Sequence, residues 1–171
     1  MAPDPPLKTA LPASVDGETR VLLLGSLPGE RSLMAGEYYA HPSNAFWWLM
    51  GEVLGEAGLP RLAYAERLAC LRVHRVGLWD VIASARRQGS LDGAIRDATH
   101  RDLVAFAGRL PHLRAIGFNG GAAAQRGRRQ LASLAGGGIA LVDLPSSSAA
   151  HAGMTREGKL AAWRAIEPYL R

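Results

Sequence analysis

Four short apolar runs, each followed by a loop-forming cluster, are the feature that most constrains the fold of this chain. The first, Arg20–Gly25, has no polar alternation, which is typical of a strand buried on both faces of a parallel sheet. The other three are Val76–Trp79, Leu113–Phe118 and Ile139–Leu144. Helical patterns lie between the runs, and this alternation predicts a three-layer α/β/α domain around a central, mostly parallel four-stranded sheet.

The clearest helical pattern begins at Phe46 and continues through Trp47, Met50, Val53 and Leu54, which share one helix face. Further helices are predicted over residues 62–71, 99–110 and 121–134. A last helix, begun by Thr155, places Leu160, Trp163, Ile166 and Leu170 on one side. Each helix would pack its apolar face against the sheet.

The length of 171 residues suits one domain with a sizeable core. The proline-rich start predicts a flexible lead over residues 1–17, followed by a single domain over residues 18–171. No signal peptide and no apolar stretch of membrane-spanning length is present, so we expect a cytoplasmic monomer with no membrane partner. The lone cysteine, Cys70, allows neither an internal disulfide nor a cysteine-based metal site, and we expect no metal and no cofactor.

The charge balance favours a polyanionic partner. Twenty Lys and Arg residues face 15 Asp and Glu residues, and all but Lys8 and Lys159 of the former are arginines. The planar guanidinium matches phosphate, so nucleic acid is the partner that this composition suggests. Arginine-rich usage also follows from GC-rich coding, so the charge alone does not decide the question. The pairs Arg86-Arg87 and Arg128-Arg129 are interpreted as solvated helix faces.

Because open α/β sheets bind ligands beyond the carboxyl ends of their strands, the loops at these ends are the places to search. The first loop, Gly25–Gly29, brackets a proline turn with glycines that let the backbone approach a ligand. A plain tight turn is the alternative. This loop matches neither a Walker loop, nor the dinucleotide fingerprint, nor a serine hydrolase elbow.

Two tyrosines, a histidine and an asparagine stand just before the Phe46 helix, namely Tyr38, Tyr39, His41 and Asn44. Aromatic faces beside polar groups suit the sandwiching of a flat heterocycle and the recognition of its edge. The alternative is structural, since Ser43 or Asn44 would also serve as the helix N-cap. His41 is equally compatible with a hydrogen-bonded structural role.

The remaining strand ends carry further polar side chains. Asn119 suits either a cap for the helix near Gly121 or the recognition of a base edge. The run Ser146–Ser148 suits a phosphate nest, and His151 suits a phosphate contact or a solvated loop position. Asp80 is interpreted first as a helix cap before Ile82 and second as a site acid.

Taken in order, the segments Gly25–Gly29, Tyr39–Trp47, Phe118–Gly120 and Leu144–Ser148 resemble the uracil-DNA glycosylase superfamily. Among its branches, the hypoxanthine-DNA (deoxyinosine) glycosylases are the nearest in pattern. The resemblance implies a uracil-DNA glycosylase-like fold and a monofunctional enzyme. Such an enzyme flips a deaminated base, here best hypoxanthine, out of double-stranded DNA and hydrolyses its N-glycosidic bond without metal.

The resemblance also implies roles for individual residues. Asn44 would hold the attacking water. Apart from the resemblance, His41 is a candidate to offset the charge of the leaving base. Base contacts would come from Tyr38 or Tyr39, Ser26 and Asn119. Contacts to the DNA backbone would come from Pro145, Ser146, Ser147, Ser148 and His151.

Three positions depart from the superfamily pattern. Leu27 stands where many members have Asp or Asn, Leu144 stands where the classical uracil enzymes have His, and Ala149 stands where Pro is common. The alternatives are therefore a uracil- or mismatch-specific glycosylase and a non-catalytic nucleic-acid-binding module. A serine hydrolase using Ser146 or Ser148 with His151 and Asp143 has the least support, because no nucleophile elbow is present.

Overall fold

A parallel sheet of four strands lies at the centre of the computed structural model, which describes residues 1–134 and 136–171. The strands, in chain order, are β1 (Leu7–Thr9), β2 (Val21–Gly25), β3 (Val76–Asp80), β4 (Ile82–Arg86), β5 (Arg96–His100), β6 (Ala115–Asn119) and β7 (Ala140–Leu144). The helices are α1 (Glu30–Ala35), α2 (Phe46–Leu54), α3 (Tyr64–Val73), α4 (Leu103–Ala107), α5 (Gly121–Leu131) and α6 (Arg156–Trp163). Short 3-10 turns cover Leu59–Arg61, Asp92–Ala94, Ala132–Leu134 and Arg164–Tyr169.

The four predicted apolar runs form this sheet, in the order β3-β2-β6-β7 with every pair parallel. The register aligns the carboxyl ends of the strands, since Gly25 pairs with Asp80 and Asn119 pairs with Leu144. The predicted four-stranded α/β fold is thereby confirmed.

Alternate residues of β2 feed two separate apolar cores, because successive side chains of a strand point to opposite faces. On one face, Val21 and Leu23 pack in a cluster with Phe46 of α2 and Trp163 of α6. On the other face, Leu22 and Leu24 share a cluster with residues of α4 and α5, among them Phe106 and Leu131. The sheet is thus the middle of three layers.

A second, antiparallel sheet of order β1-β4-β5 was not predicted from the sequence. Its outer strand β5 is mostly exposed and polar, so it lacks the apolar alternation that marks a strand. The helix predicted over 99–110 is therefore wrong at its start. The chain is extended through His100, and α4 begins only after Asp102, whose carboxylate accepts from Ala105 N–H.

The predicted N-terminal lead contains paired backbone in the structure. Residues Leu7–Thr9 pair with β4, and Ser14 exchanges two backbone hydrogen bonds with Leu78 at 2.9 Å. The segment thus runs along the edges of both sheets.

The other helices follow the predicted patterns closely. Helix α3 covers Tyr64–Val73, and α5 ends at Leu131 before a 3-10 turn. Thr155 is the N-cap of α6, as predicted, with its hydroxyl accepting from Gly158 N–H at 3.0 Å. None of the helices in the described ranges is both long enough and apolar enough to span a membrane.

Candidate active site

Three neighbouring strand ends present their last residues on the same face of the parallel sheet, the face covered by α2 and α6. These residues are Asp80 of β3, Gly25 of β2 and Asn119 of β6. A Cβ atom on Gly25 would lie 2.7 Å from Asp80 Oδ1 and 3.3 Å from the Tyr39 hydroxyl oxygen, so no side chain fits there. We call these three residues, together with the Tyr39 hydroxyl, the floor of the site.

Asp80 is the most unusual group of the floor. Its side chain is almost completely buried, and Oδ2 has no hydrogen-bond partner among the described residues. The pKa of Asp80 is raised to about 7, chiefly by burial, with Arg101 and Arg87 acting against this shift and Asp92 adding to it. The interpretation of Asp80 as a helix cap is wrong, because strand β4, not a helix, follows it. An unsatisfied buried carboxylate oxygen is costly, so Asp80 is a candidate site residue.

Tyr39 lies over the floor in a strained backbone conformation. Its φ of 55° lies in the left-handed region that an aromatic residue rarely adopts. The ring stacks on Phe46 at a centroid distance of 3.9 Å, and the hydroxyl is buried without a partner in the described part of the chain. Burial and the Asp80 carboxylate raise the pKa of Tyr39, and the nearby Asn119 side chain acts against this shift, so the hydroxyl stays neutral and able to donate a hydrogen bond.

Tyr38, the other candidate for base stacking, is a core residue. Its side chain is 3% exposed, and its hydroxyl donates to Pro12 O at 2.8 Å. The two rings lie 6.1 Å apart between centroids, and of their two hydroxyl groups only that of Tyr39 is among the atoms nearest the position above Gly25.

Asn119 joins the floor to the last loop through both ends of its amide. Its Nδ2 donates to Ser147 Oγ at 2.9 Å, and its Oδ1 accepts from Ser147 N–H at 2.9 Å. The carbonyl of Ser147 in turn accepts from Ala45 N–H at 3.0 Å. We call Asn119, Ser147 and Ala45 the three-loop clasp. Each amide end of Asn119 keeps one N–H or lone pair beyond these bonds, and its cap interpretation is wrong because Gly120 is the N-cap of α5.

Asn44 stands beside the clasp, half-buried, at the entry to α2. Its Oδ1 accepts from Phe46 N–H at 3.0 Å, while the N-cap position itself is occupied by Ala45. The residue therefore satisfies an early helix N–H in place of a conventional cap. One bond uses one lone pair of Oδ1, so the amide keeps acceptor and donor capacity for a water molecule.

His41 and Ser26 lie close to the site in sequence, but their side chains are committed elsewhere. The exposed His41 accepts from Ser43 N–H through Nδ1 at 3.1 Å, with Ser43 Oγ at 2.7 Å. The buried Ser26 donates to Asp92 Oδ1 at 2.5 Å. The structure therefore brings neither side chain into the floor.

A buried arginine holds the first loop, and sequence reasoning missed it. Arg87 is fully buried and donates to the carbonyl oxygens of Leu27, Pro28 and Gly89, at 3.3, 2.5 and 2.8 Å. The interpretation of Arg87 as part of a solvated helix face is wrong. Leu27 packs in a small cluster with Ile82, away from the floor, so the third position of this loop offers no group to a water molecule.

The serine loop is closed on itself. Ser146 Oγ accepts from Ser148 N–H, and Ser148 Oγ accepts from Ala150 N–H, each at 3.2 Å. With Ser147 N–H bonded to Asn119, these amides do not form the open phosphate nest that the sequence suggested. The carbonyl of Pro145 accepts from Trp163 Nε1 at 2.9 Å, which anchors the loop to α6.

Beside this loop lies a cavity of about 170 Å³, lined in part by Ser43, Ala149, His151, Arg156 and Lys159. Lys159 donates to Ser148 O at 3.1 Å, and burial lowers its pKa. The Arg156 guanidinium lies 3.8 Å over the Trp48 ring. We call this the cationic groove.

The serine hydrolase alternative is not supported by the position of Asp143. Ser146 and His151 do not form a triad with Asp143, whose carboxylate pairs with Arg128 at 2.9 Å.

Three side chains of the kinds that can bind a metal ion lie together at the other end of the sheet. Atoms of Glu56, Cys70 and His74 lie within 4.8 Å of one another, and His74 precedes the first residue of β3 by two positions. His74 Nε2 and Glu56 Oε1 already form a 2.9 Å contact on the surface. This group is separate from the floor.

The chain belongs to the uracil DNA glycosylase superfamily. The model of the uracil DNA glycosylase superfamily matches residues 12–167, which is most of the chain.

The names of two individual relatives specify the base hypoxanthine, whereas the superfamily is named after uracil. A protein of Methanosarcina acetivorans named hypoxanthine DNA glycosylase is 37% identical over 160 residues, covering 94% of this chain and 98% of its own. A protein of the same name from Methanosarcina barkeri is 38% identical over 113 residues, covering 66% of this chain and 71% of its own. A solution NMR structure of a proposed uracil DNA glycosylase from M. acetivorans matches with a TM-score of 0.82 and 36% identity, over 96% of this chain and 98% of that one.

Proposed function

We propose that this protein is a DNA glycosylase that removes hypoxanthine from double-stranded DNA and leaves an abasic site. The observation that carries this proposal is the floor, where Asp80 Oδ2 and the Tyr39 hydroxyl are buried and have no hydrogen-bond partner among the described residues. The polar edge of a flat base would satisfy both groups, and the names of the relatives point to the same substrate.

The reaction requires one water molecule and no redox change. Asn44 holds a water near C1′ of the flipped nucleotide while the C1′–N9 bond breaks and the sugar gains oxocarbenium character. The electron pair of that bond leaves with the base. The water oxygen bonds to C1′ and the water loses one proton, while the base takes up one proton, so that the sugar gains a hydroxyl group and the base is released neutral. Asn44 suits this role because its Oδ1 is already oriented by Phe46 N–H.

Contacts to the DNA backbone come from the cationic groove. Arg156 and Lys159 line it with the exposed His151, next to Ser147 of the three-loop clasp. A phosphate bound there would place its nucleotide beside the floor, and the attraction would depend on salt. In this proposal Pro145 and the serines shape the loop, and the cations provide most of the attraction.

A lesion panel tests the proposal. Duplexes carrying one hypoxanthine, uracil or xanthine are incubated with the protein and then treated with alkali, which cleaves at abasic sites. We expect the largest product yield from hypoxanthine and none from the matched duplex with adenine.

The panel also separates the alternatives. Faster release of uracil than of hypoxanthine would favour a uracil- or mismatch-specific enzyme. Tight, salt-dependent binding of lesion duplexes without abasic product at stoichiometric protein would favour a non-catalytic module. The packing of Leu27 in an apolar cluster supports this second hypothesis, because the first loop then offers no polar group to a water molecule.

A further inference from the structure

The floor holds a hydrogen-bond acceptor, Asp80 Oδ2, and a hydrogen-bond donor, the Tyr39 hydroxyl, and neither has a hydrogen-bond partner among the described residues. The position that a Cβ atom on Gly25 would take lies 2.7 Å from Asp80 Oδ1 and 3.3 Å from the Tyr39 hydroxyl oxygen. Both side chains therefore reach the same end of β2. The Tyr39 side chain is half-buried while its hydroxyl is buried, so the ring leads from solvent to the floor. A ligand whose edge carries an N–H donor next to a carbonyl acceptor would satisfy both groups, with the carboxylate accepting and the phenol donating.

Resting on the proposed function, we propose that Asp80 determines specificity by accepting the ring N–H of the flipped base. The Tyr39 hydroxyl donates to the carbonyl oxygen next to that N–H. In hypoxanthine these atoms are N1–H and O6, and in uracil the ring offers the same arrangement. This lactam edge is what deamination creates.

The same pair rejects the parent bases. Adenine and cytosine present a ring nitrogen acceptor beside an amino donor, so the carboxylate would face a lone pair and the tyrosine hydroxyl an N–H group. A site built around buried hydrogen-bonding groups discriminates strongly, since the wrong partner leaves those groups unpaired. Guanine has the lactam edge as well, so this pair separates deaminated bases from adenine and cytosine.

Single-turnover excision from three duplexes tests Asp80. They carry deoxyinosine, deoxynebularine, which lacks both N1–H and O6, or deoxyadenosine. In Asp80→Leu we expect the hypoxanthine-to-nebularine rate ratio to fall about 10- to 100-fold, the usual range for one bond to a charged group. In Asp80→Asn the amide accepts or donates, so we expect the hypoxanthine-to-adenine ratio to fall while hypoxanthine excision is largely kept.

The control is Asp97→Asn on β5, an exposed acid whose loss should leave every ratio unchanged. If Asp80→Leu does not fold, as thermal melting would show, the isosteric Asp80→Asn decides through its adenine ratio. Wild-type ratios in every folded Asp80 variant would overturn the inference, even with a fully active enzyme. If the wild type releases no base, the proposed function fails. The role of Asp80 is then tested by comparing the binding affinities of wild type and variants for 2′-fluoro duplexes that carry the same three bases.

Discussion

The floor and the cationic groove lie on either side of the three-loop clasp and differ in almost every physical property. The floor is buried, and its free groups are a carboxylate and a phenol. The groove is open to solvent and lined by cations, with Arg156 and His151 exposed. The net charge of +5 therefore says little about the place where chemistry is proposed to occur.

This difference separates discrimination from affinity. A buried hydrogen bond that is left unmade costs the full desolvation of its group, so the floor is suited to distinguish one base from another. Exposed cations interact through solvent and screening ions, so the groove is suited to attract any DNA. Variants of the floor should change which base is cleaved, and variants of the groove should change how salt affects binding.

The largest effect is expected from Asn44→Ala, which removes the group proposed to hold the water. We expect the single-turnover rate on hypoxanthine DNA to fall about 100- to 1000-fold, in the range for the loss of one preorganised polar group. Asn44→Asp keeps an oxygen for Phe46 N–H and should lose less. Near-wild-type rates in Asn44→Ala would remove Asn44 from the mechanism.

A methyl group at the floor should have the next largest effect. In Gly25→Ala the Cβ would meet Asp80 Oδ1 at 2.7 Å, so the carboxylate must shift. We expect roughly a 100-fold loss of activity, since misplacement by an ångström has that order of consequence. Gly29→Ala is the matched control, because its Cβ would meet only Ser90, at an ordinary 3.4 Å. Equal activities of the two variants would contradict a tightly packed floor.

The buried carboxylate should also make stability depend on pH. Because the pKa of Asp80 is about 7 in the folded protein and about 4 in an unfolded chain, the folded state binds more protons between these values. Stability from this group is therefore greatest below about pH 4 and is lost as the pH rises through about 7.

Thermal melting of wild type and Asp80→Asn across this range tests the prediction. We expect wild type to lose stability on the order of 4 kcal/mol, or roughly ten degrees in Tm, across this range, and the variant to show no such loss. Arg101, Arg87 and Asp92 surround the group and are unchanged in both proteins, so parallel melting curves would contradict the assignment.

The smallest effect is expected in the groove. Arg156→Gln should weaken binding to lesion and intact duplexes alike, by a few-fold at physiological salt, and reduce the slope of log affinity against log salt by about one. Fluorescence anisotropy over a salt series measures both quantities. Arg61→Gln, an exposed arginine near the other end of α2, serves as the control. A change in base preference in Arg156→Gln would break the division between floor and groove.

The central sheet was predictable because buried parallel strands leave continuous apolar runs, as Val21–Gly25 does. The second sheet was not, because the pairing of exposed polar β5 depends on tertiary contacts and leaves no periodic signal. The site residues also divide into those that a local sequence pattern indicates and those that depend on tertiary contacts. Asn119 and Asp80 could be located from strand ends, and Tyr39 and Asn44 from the start of the Phe46 helix. The burial of Arg87 and the unpartnered Oδ2 of Asp80 among the described residues could not be foreseen, because strand β4 was not predicted.

The three-loop clasp has a consequence for how this site can diversify. Ser147 is bonded to both Asn119 and Ala45, so the loops after β6 and β7 and the entry to α2 share one network of partly buried hydrogen bonds. Grafting any one of these loops alone from a relative would break the network, whereas grafting all three together would conserve it. New base preferences are therefore reached more readily by exchanging single side chains of the floor than by recombining loops.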